Sequence, residues 1–118
     1  MDRQHIIFGS YLRGLRLKKK VTLRQLARHL GCSDPYLSDV ELGRRAPLTD
    51  SRIHQAATFL GVEPNKLRLK AAVSRGLFKL PTKVSSKHDE LAVRLAMAWE
   101  SLNEKDLDAI GRILNSVG

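Results

Sequence analysis

The stretch TLRQLARHLGCSDPYLSDVELGRR, residues 22–45, decides the fold. Leu23, Leu26, Ala27 and Leu30 recur at helical spacing before Gly31-Cys32-Ser33, and Leu37 and Val40 do the same after it. The pattern predicts two short helices joined by a tight turn. Ala27 stands one helical turn before Gly31, where a larger side chain would push two crossing helices apart. Gly31 ends the first helix at a position that favours a left-handed backbone. Leu37 and Val40 are the residues a second helix would press back onto the first.

Such a pair is a helix-turn-helix, and its usual use is to place the second helix in the major groove of DNA. An ordinary helical hairpin shares much of this pattern, so both readings stay open at this point.

Charge favours the first reading. The 118 residues carry a net charge of +9, with a pI near 10.2. Residues 1–80 hold 16 Lys and Arg against 6 Asp and Glu, whereas residues 81–118 hold 5 against 6. The basic character therefore belongs to the segment that contains the helix pair and points to a polyanion, although a solvated basic face is the bland alternative. Hydrophobic residues make up 42% and aromatics only 5%, so the core is expected from Leu, Ile, Val and Ala.

Working outward, helix 1 is expected over about Ile6–Lys19, with Phe8, Leu12 and Leu15 buried, Tyr11 flanking, and a polar start at Met1–His5. Gly9 and Gly14 lower its intrinsic propensity, so packing must hold it. Thr22 and Gln25 form a capping box that starts helix 2 at Leu23, and the Thr22 hydroxyl can also face a phosphate. Ser33 caps helix 3, with Asp34 and Pro35 in its first turn, and Gly43 stops it after Leu42. Leu37 and Val40 turn Pro35 and Asp39 outward, with Tyr36 and Ser38 on the flanks; these four and Asp34 are candidates to face bases.

Thr49 or Asp50 caps helix 4, Ser51–Leu60, whose apolar positions are Ile53, Ala56, Ala57 and Leu60. Pro64 opens helix 5, in which Leu67 and Ala71 close the core. Residues 77–86 read as a hinge or extended segment, because Pro81 stops a helix from running through; Phe78, Leu80 and Val84 alternate as a short edge strand would. Helix 6 is expected over about Lys87–Glu100, with Leu91, Leu95 and Leu102 on one face and Val93, Met97 and Trp99 widening it. Asn103 caps helix 7, striped by Leu107, Ile110, Leu114 and Val117. Two such helices cannot bury their faces alone, so they are expected to pack on the N-terminal domain or on another subunit.

The run VTLRQLARHLGCSDPYLSDVELGRRAPL resembles the Cro/C1-type, or XRE-type, helix-turn-helix repressor family. The matching positions are Val21-Thr22, Leu26-Ala27, Leu30-Gly31, Ser33, Leu37-Ser38, Val40-Glu41, Gly43, Arg45 and Pro47. The resemblance covers about residues 6–72. It implies a five-helix lambda-repressor-like DNA-binding domain at residues 1–76. Beyond about residue 76 the family pattern gives out, and residues 77–118 read from their own apolar stripes as a linker and a two-helix interaction or dimerisation extension, so the whole is expected to be all-α. The resemblance also implies double-stranded DNA as partner and a homodimer. Carried over by position, Arg16 and Glu41 match a buried structural ion pair. Ser33, Asp34, Pro35 and Asp39 match base-reaching positions, with Tyr36 and Ser38 beside them. Arg44 and Arg45 match the loop that meets phosphate, and Thr22 and Arg24 join that set. Leu91, Leu95, Trp99, Leu107, Ile110 and Leu114 are the expected dimerisation residues.

Two departures from the family matter. Leu23 stands where members often carry a DNA-touching Gln. Helix 3 carries Asp34 and Asp39 and no cation; an Asp repels phosphate but can accept a hydrogen bond from a cytosine amino group.

Other chemistry has little support. His5, His29, His54 and His88 are scattered and share no ligand spacing with Cys32, so no metal or cofactor is expected. Cys32 stands where the family has Val, which suits a small buried hydrophobe. No catalytic arrangement stands out, and no enzyme activity is expected. The single cysteine, the lack of a signal-like start and the lack of a long apolar run fit a cytoplasmic, nucleoid-associated protein. The alternative function is an antitoxin-like module whose C-terminal helices bind a partner protein.

Overall fold

The computed structural model describes residues 5–76 and 78–117 and is all-helical there. The polar start read at residues 1–5 lies outside the described residues except for His5, which already belongs to the first helix; Leu77 also lies outside them. The chain divides into two compact units, Met1–Phe78 and Lys79–Gly118.

In the first unit α1 (His5–Lys18), α2 (Leu23–Leu30), α3 (Asp34–Glu41), α4 (Asp50–Leu60) and α5 (Pro64–Arg75) enclose one core. Phe8, Leu12, Leu26, Ala27, Leu37, Val40, Ile53 and Leu67 are almost fully excluded from water. Their burial is the dominant stabilising term, at about 25 cal/mol per Å² of apolar surface.

Local chemistry sets the boundaries of the two central helices. The Thr22 hydroxyl accepts the Gln25 N–H at 3.1 Å, while Gln25 Oε1 accepts the Thr22 N–H at 2.8 Å. At the other end Gly31 adopts φ +70°, which lets the Cys32 N–H reach the Ala27 carbonyl at 3.0 Å and closes the turn. Ser33 then caps α3 by accepting the Tyr36 N–H at 3.2 Å. Thr49, rather than Asp50, caps α4.

Three packing features lie outside the periodicity. Leu48, between α3 and α4, is fully buried although it belongs to no helical stripe. Ser74 of α5 is fully buried too, and its hydroxyl accepts the Phe8 N–H of α1 at 2.9 Å. That bond ties the first turn of α1 to α5. Gly9 is more than a weak helix former: a Cβ there would lie 2.4 Å from the carbonyl oxygens of Val40 and Glu41, so its bare backbone lets α1 cross α3 closely.

The second unit contains α6 (Ser86–Ala98), a 3-10 turn at Trp99–Ser101, and α7 (Glu104–Val117). The edge strand expected from Phe78, Leu80 and Val84 does not form. The chain bends instead: Lys83 takes φ +62° and its N–H donates to Asp89 Oδ1 at 3.0 Å, so a side chain satisfies the amide that a strand neighbour would have bonded. Helix α6 stops short of the expected Glu100, because the last turn tightens and Leu102 becomes extended before Asn103. Asn103 and Asp106 exchange backbone-to-side-chain hydrogen bonds at 3.2 and 2.9 Å, a capping box for α7. Within this unit Leu91, Met97, Trp99, Leu107 and Leu114 remain exposed, and Leu95 and Ile110 are half-buried. No described residue of α6 or α7 is fully buried.

Candidate nucleic-acid interface

Helix α3 fixes the site, and its orientation follows from which residues it buries. Leu37 and Val40 face the core, and Glu41 is anchored beneath. Arg16 of α1 donates to Glu41 through Nε at 2.8 Å and Nη2 at 2.9 Å, while its Nη1 donates to the Val21 carbonyl at 3.1 Å. The hydrogen bonds to Glu41, and then its charge, hold the Arg16 guanidinium above the ordinary arginine range, against the opposing effect of burial. One ion pair thus ties α1, the start of α2 and the end of α3 together.

With that face turned inward, Ser33, Asp34 and Pro35 are exposed at the α3 N-terminus, and Tyr36, Ser38 and Asp39 are half-buried along its side. Thr22 and Arg24 are exposed at the start of α2, and Arg44 and Arg45 in the loop after α3. Gly43 sets the path of that loop. It adopts φ +79°, and a Cβ there would lie 2.9 Å from the backbone of Ile6. Leu23, where the family often has Gln, packs against the core instead of standing free.

The acidic residues of α3 differ in their surroundings. Asp34 is exposed in the first helical turn, next to the positive end of the helix dipole. Asp39 has cationic neighbours: Oδ1 lies 3.7 Å from Arg44 Nη1 and Oδ2 lies 3.9 Å from Arg45 Nε. The Tyr36 ring packs partly on the core, and the guanidinium carbons of Arg45 and Arg52 each lie 5.5 Å from its centroid.

Several cations near this surface escape the motif. Arg52, in the first turn of α4, comes near Tyr36 although α4 itself packs on α2 and α5. Arg13 of α1 lines a depression of about 230 Å³ with Leu23, Ser38 and Leu42. On the outer face of α2, Arg24, Gln25, Arg28, His29 and Phe59 line a concavity of about 320 Å³. There His29 stacks on Phe59 of α4, with ring centroids 4.3 Å apart. Arg28 had a signal in the sequence, since it follows Arg24 by four residues on the same helical face; Arg52 had none.

Cys32, in the turn, is half-buried against the core, and burial pushes its thiol above the ordinary range despite the nearby Arg52 charge. Away from α3, Asp50 accepts from Arg68 Nε at 2.9 Å, which lowers its carboxyl below the usual carboxylate value. Arg68 Nη2 also meets His54 Nε2. Among the described residues no group of three or more His, Cys, Asp or Glu side chains could hold a metal ion, and no helix is long and apolar enough to cross a membrane.

A short capped helix pair, braced by a buried ion pair and flanked by exposed arginines, defines a helix-turn-helix domain. Residues 7–69 match the helix-turn-helix domain family, and the chain belongs to that family. An HTH-type transcriptional regulator of Mycobacterium tuberculosis (strain H37Rv) is 42% identical over 65 residues, covering 55% of this chain and 46% of that protein; the chain spans about half the length of that relative. The HTH-type transcriptional repressor RghR of Bacillus subtilis (strain 168) is 30% identical over 111 residues, covering 85% of this chain and 82% of that one. The crystal structure of the clp gene regulator ClgR from Corynebacterium glutamicum matches with a TM-score of 0.51 at 31% identity, over 66% of this chain and 100% of that chain.

Proposed function

We propose that the protein is a sequence-specific transcriptional repressor that binds a pseudo-palindromic operator as a homodimer, with α3 in the major groove. The observation that carries this reading is the N-terminal end of α3, where Ser33, Asp34 and Pro35 are exposed, bordered by exposed Arg24 on α2 and by Arg44 and Arg45 after the helix. Repression is favoured by the similarity to the repressor RghR. In a dimer the two α3 helices would sit about 34–36 Å apart, one helical turn of DNA. The exposed Leu91, Trp99, Leu107 and Leu114, with the half-buried Leu95 and Ile110, support self-association through the second unit, since large apolar side chains left in water favour an interface.

The test is selection of binding sites from a random DNA library at several salt concentrations. An enriched inverted repeat, with log affinity falling linearly against log salt, is the expected result. An enriched single half-site would contradict the dimeric operator, and no enrichment would contradict sequence-specific binding.

The same exposed side chains favour one second reading, a heterologous protein partner on α6 and α7. Sedimentation of the full-length chain separates the two. A dimer that becomes monomeric in Ile110→Lys with Leu114→Lys supports self-association, whereas a wild-type monomer favours the partner.

A further inference from the structure

Helix α3 is an odd recognition element for a protein of net charge +9, because outside the buried Glu41 it carries two carboxylates, Asp34 and Asp39, and no cation. Asp39 accounts for half of that anomaly. Its carboxylate oxygens lie 3.7 Å from Arg44 Nη1 and 3.9 Å from Arg45 Nε, and its backbone carbonyl accepts the Arg44 N–H at 2.8 Å. Its side chain is 35% exposed and those of the two arginines about 60%, so the guanidiniums keep most of their surface in water. Each guanidinium has five N–H donors, and Asp39 engages a small part of that set.

Tyr36 lies one turn earlier on the same helix. Arg45 is therefore approached by the Asp39 carboxylate and by the Tyr36 ring, which also lies 5.5 Å from Arg52 of α4. Three arginines from a loop and a neighbouring helix gather around two side chains of α3. The charge of Asp39 is outweighed there by three cations, so the cluster still attracts phosphate.

We propose that Asp39 and Tyr36 are positioning residues, which hold Arg44, Arg45 and Arg52 as a cationic rim beside α3 for the phosphodiester backbone, and that Asp39 reads no base. The inference rests on the DNA-binding reading above and adds Arg52 to the phosphate set. Asp34, free at the helix N-terminus, remains the carboxylate available to a base edge.

The test uses the full-length chain on the selected DNA sites. Asp39→Asn keeps the shape of the side chain and removes its charge. It should weaken binding to every sequence by about threefold, the size expected of exposed ion pairs, with base preference unchanged at each position. In an Arg44→Gln with Arg45→Gln background the same substitution should strengthen binding, because it then removes only a repulsive charge. Arg52→Gln should reduce the salt slope by about 0.9, the value for one neutralised phosphate. A changed preference at one base position in Asp39→Asn, or the same effect in both backgrounds, would overturn the proposal. An unchanged salt slope in Arg52→Gln would remove Arg52 from the rim. A measurement without DNA keeps this separate from DNA binding itself: the Arg45 Nε–Hε resonance of the free protein should shift in Asp39→Asn and in Tyr36→Leu. No shift in either variant overturns the positioning role even if the wild type binds its operator.

Discussion

Arg16 grips Glu41 in two parallel hydrogen bonds, of 2.8 and 2.9 Å, with their side chains only 9% and 4% exposed. Each charge is tolerable there only because of the other. Glu41→Gln should therefore cost about 3–5 kcal/mol of stability in urea unfolding, since it leaves the guanidinium without its counter-charge. Replacing both, as Arg16→Met with Glu41→Leu, should cost far less, because no charge then remains to be desolvated. If the single and double variants were equally destabilised, the pair would be contributing through packing instead.

The two glycines of α1 should respond to alanine with opposite signs. At Gly14 an added Cβ meets nothing within 4 Å, so Gly14→Ala should stabilise the protein by about 0.5–1 kcal/mol through backbone entropy. At Gly9 the same methyl group would press on the Val40 and Glu41 carbonyl oxygens at 2.4 Å. Gly9→Ala should destabilise by about 1–3 kcal/mol, the usual cost of overpacking. Thermal unfolding of the two variants side by side tests this, and a higher Tm for Gly9→Ala would contradict the close crossing of α1 and α3.

Cys32 gives a pH prediction. Its thiol is raised from the ordinary value by burial, so the folded protein favours the protonated form. A raised folded value contributes stability that is fully present below the unfolded value of 9.0 and is lost as pH rises through the folded one. Alkylation by iodoacetamide at pH 8 should thus be slower in the folded protein than in urea, and the folded rate should still be climbing above pH 9. A fast, pH-independent reaction near neutrality would point to a stabilised thiolate in place of a buried thiol.

How much of this could be read from the sequence depends on how local the signal is. The bounds of α2 and of the α3 start are legible because Thr22, Gln25, Gly31 and Ser33 act within one turn of their own positions. The core role of Leu48, the Ser74 hydroxyl under Phe8 and the close crossing at Gly9 are not, because each depends on a neighbour distant in sequence; Phe8 and Ser74 are 66 residues apart. The strand expected near Phe78 rests on a three-residue alternation, too little to outweigh the absence of a partner strand. The same division runs through the candidate interface. Position in the motif points to Ser33, Asp34 and the arginine loop, whereas the approach of Arg52 to Tyr36 and of the arginines to Asp39 emerges only from the folded chain.

Arg44 and Arg45 supply the remaining prediction, because phosphate binding and base reading leave different traces. Both side chains are about 60% exposed and keep their charge in water, which suits a backbone that looks alike at every step. Arg44→Ala with Arg45→Ala should weaken binding to operator and to unrelated DNA by similar factors. The slope of log affinity against log salt should become shallower by about 0.9 for each phosphate that the variant no longer neutralises. Asp34→Ala, at the exposed α3 N-terminus, should instead change the preference at one base pair of each half-site, by about 1–3 kcal/mol if the carboxylate meets a cytosine amino group. Electrophoretic mobility shifts on a panel of single-base operator variants separate the two patterns. Weakening confined to one base position in the double arginine variant would mean that the loop reaches into a groove and reads sequence there.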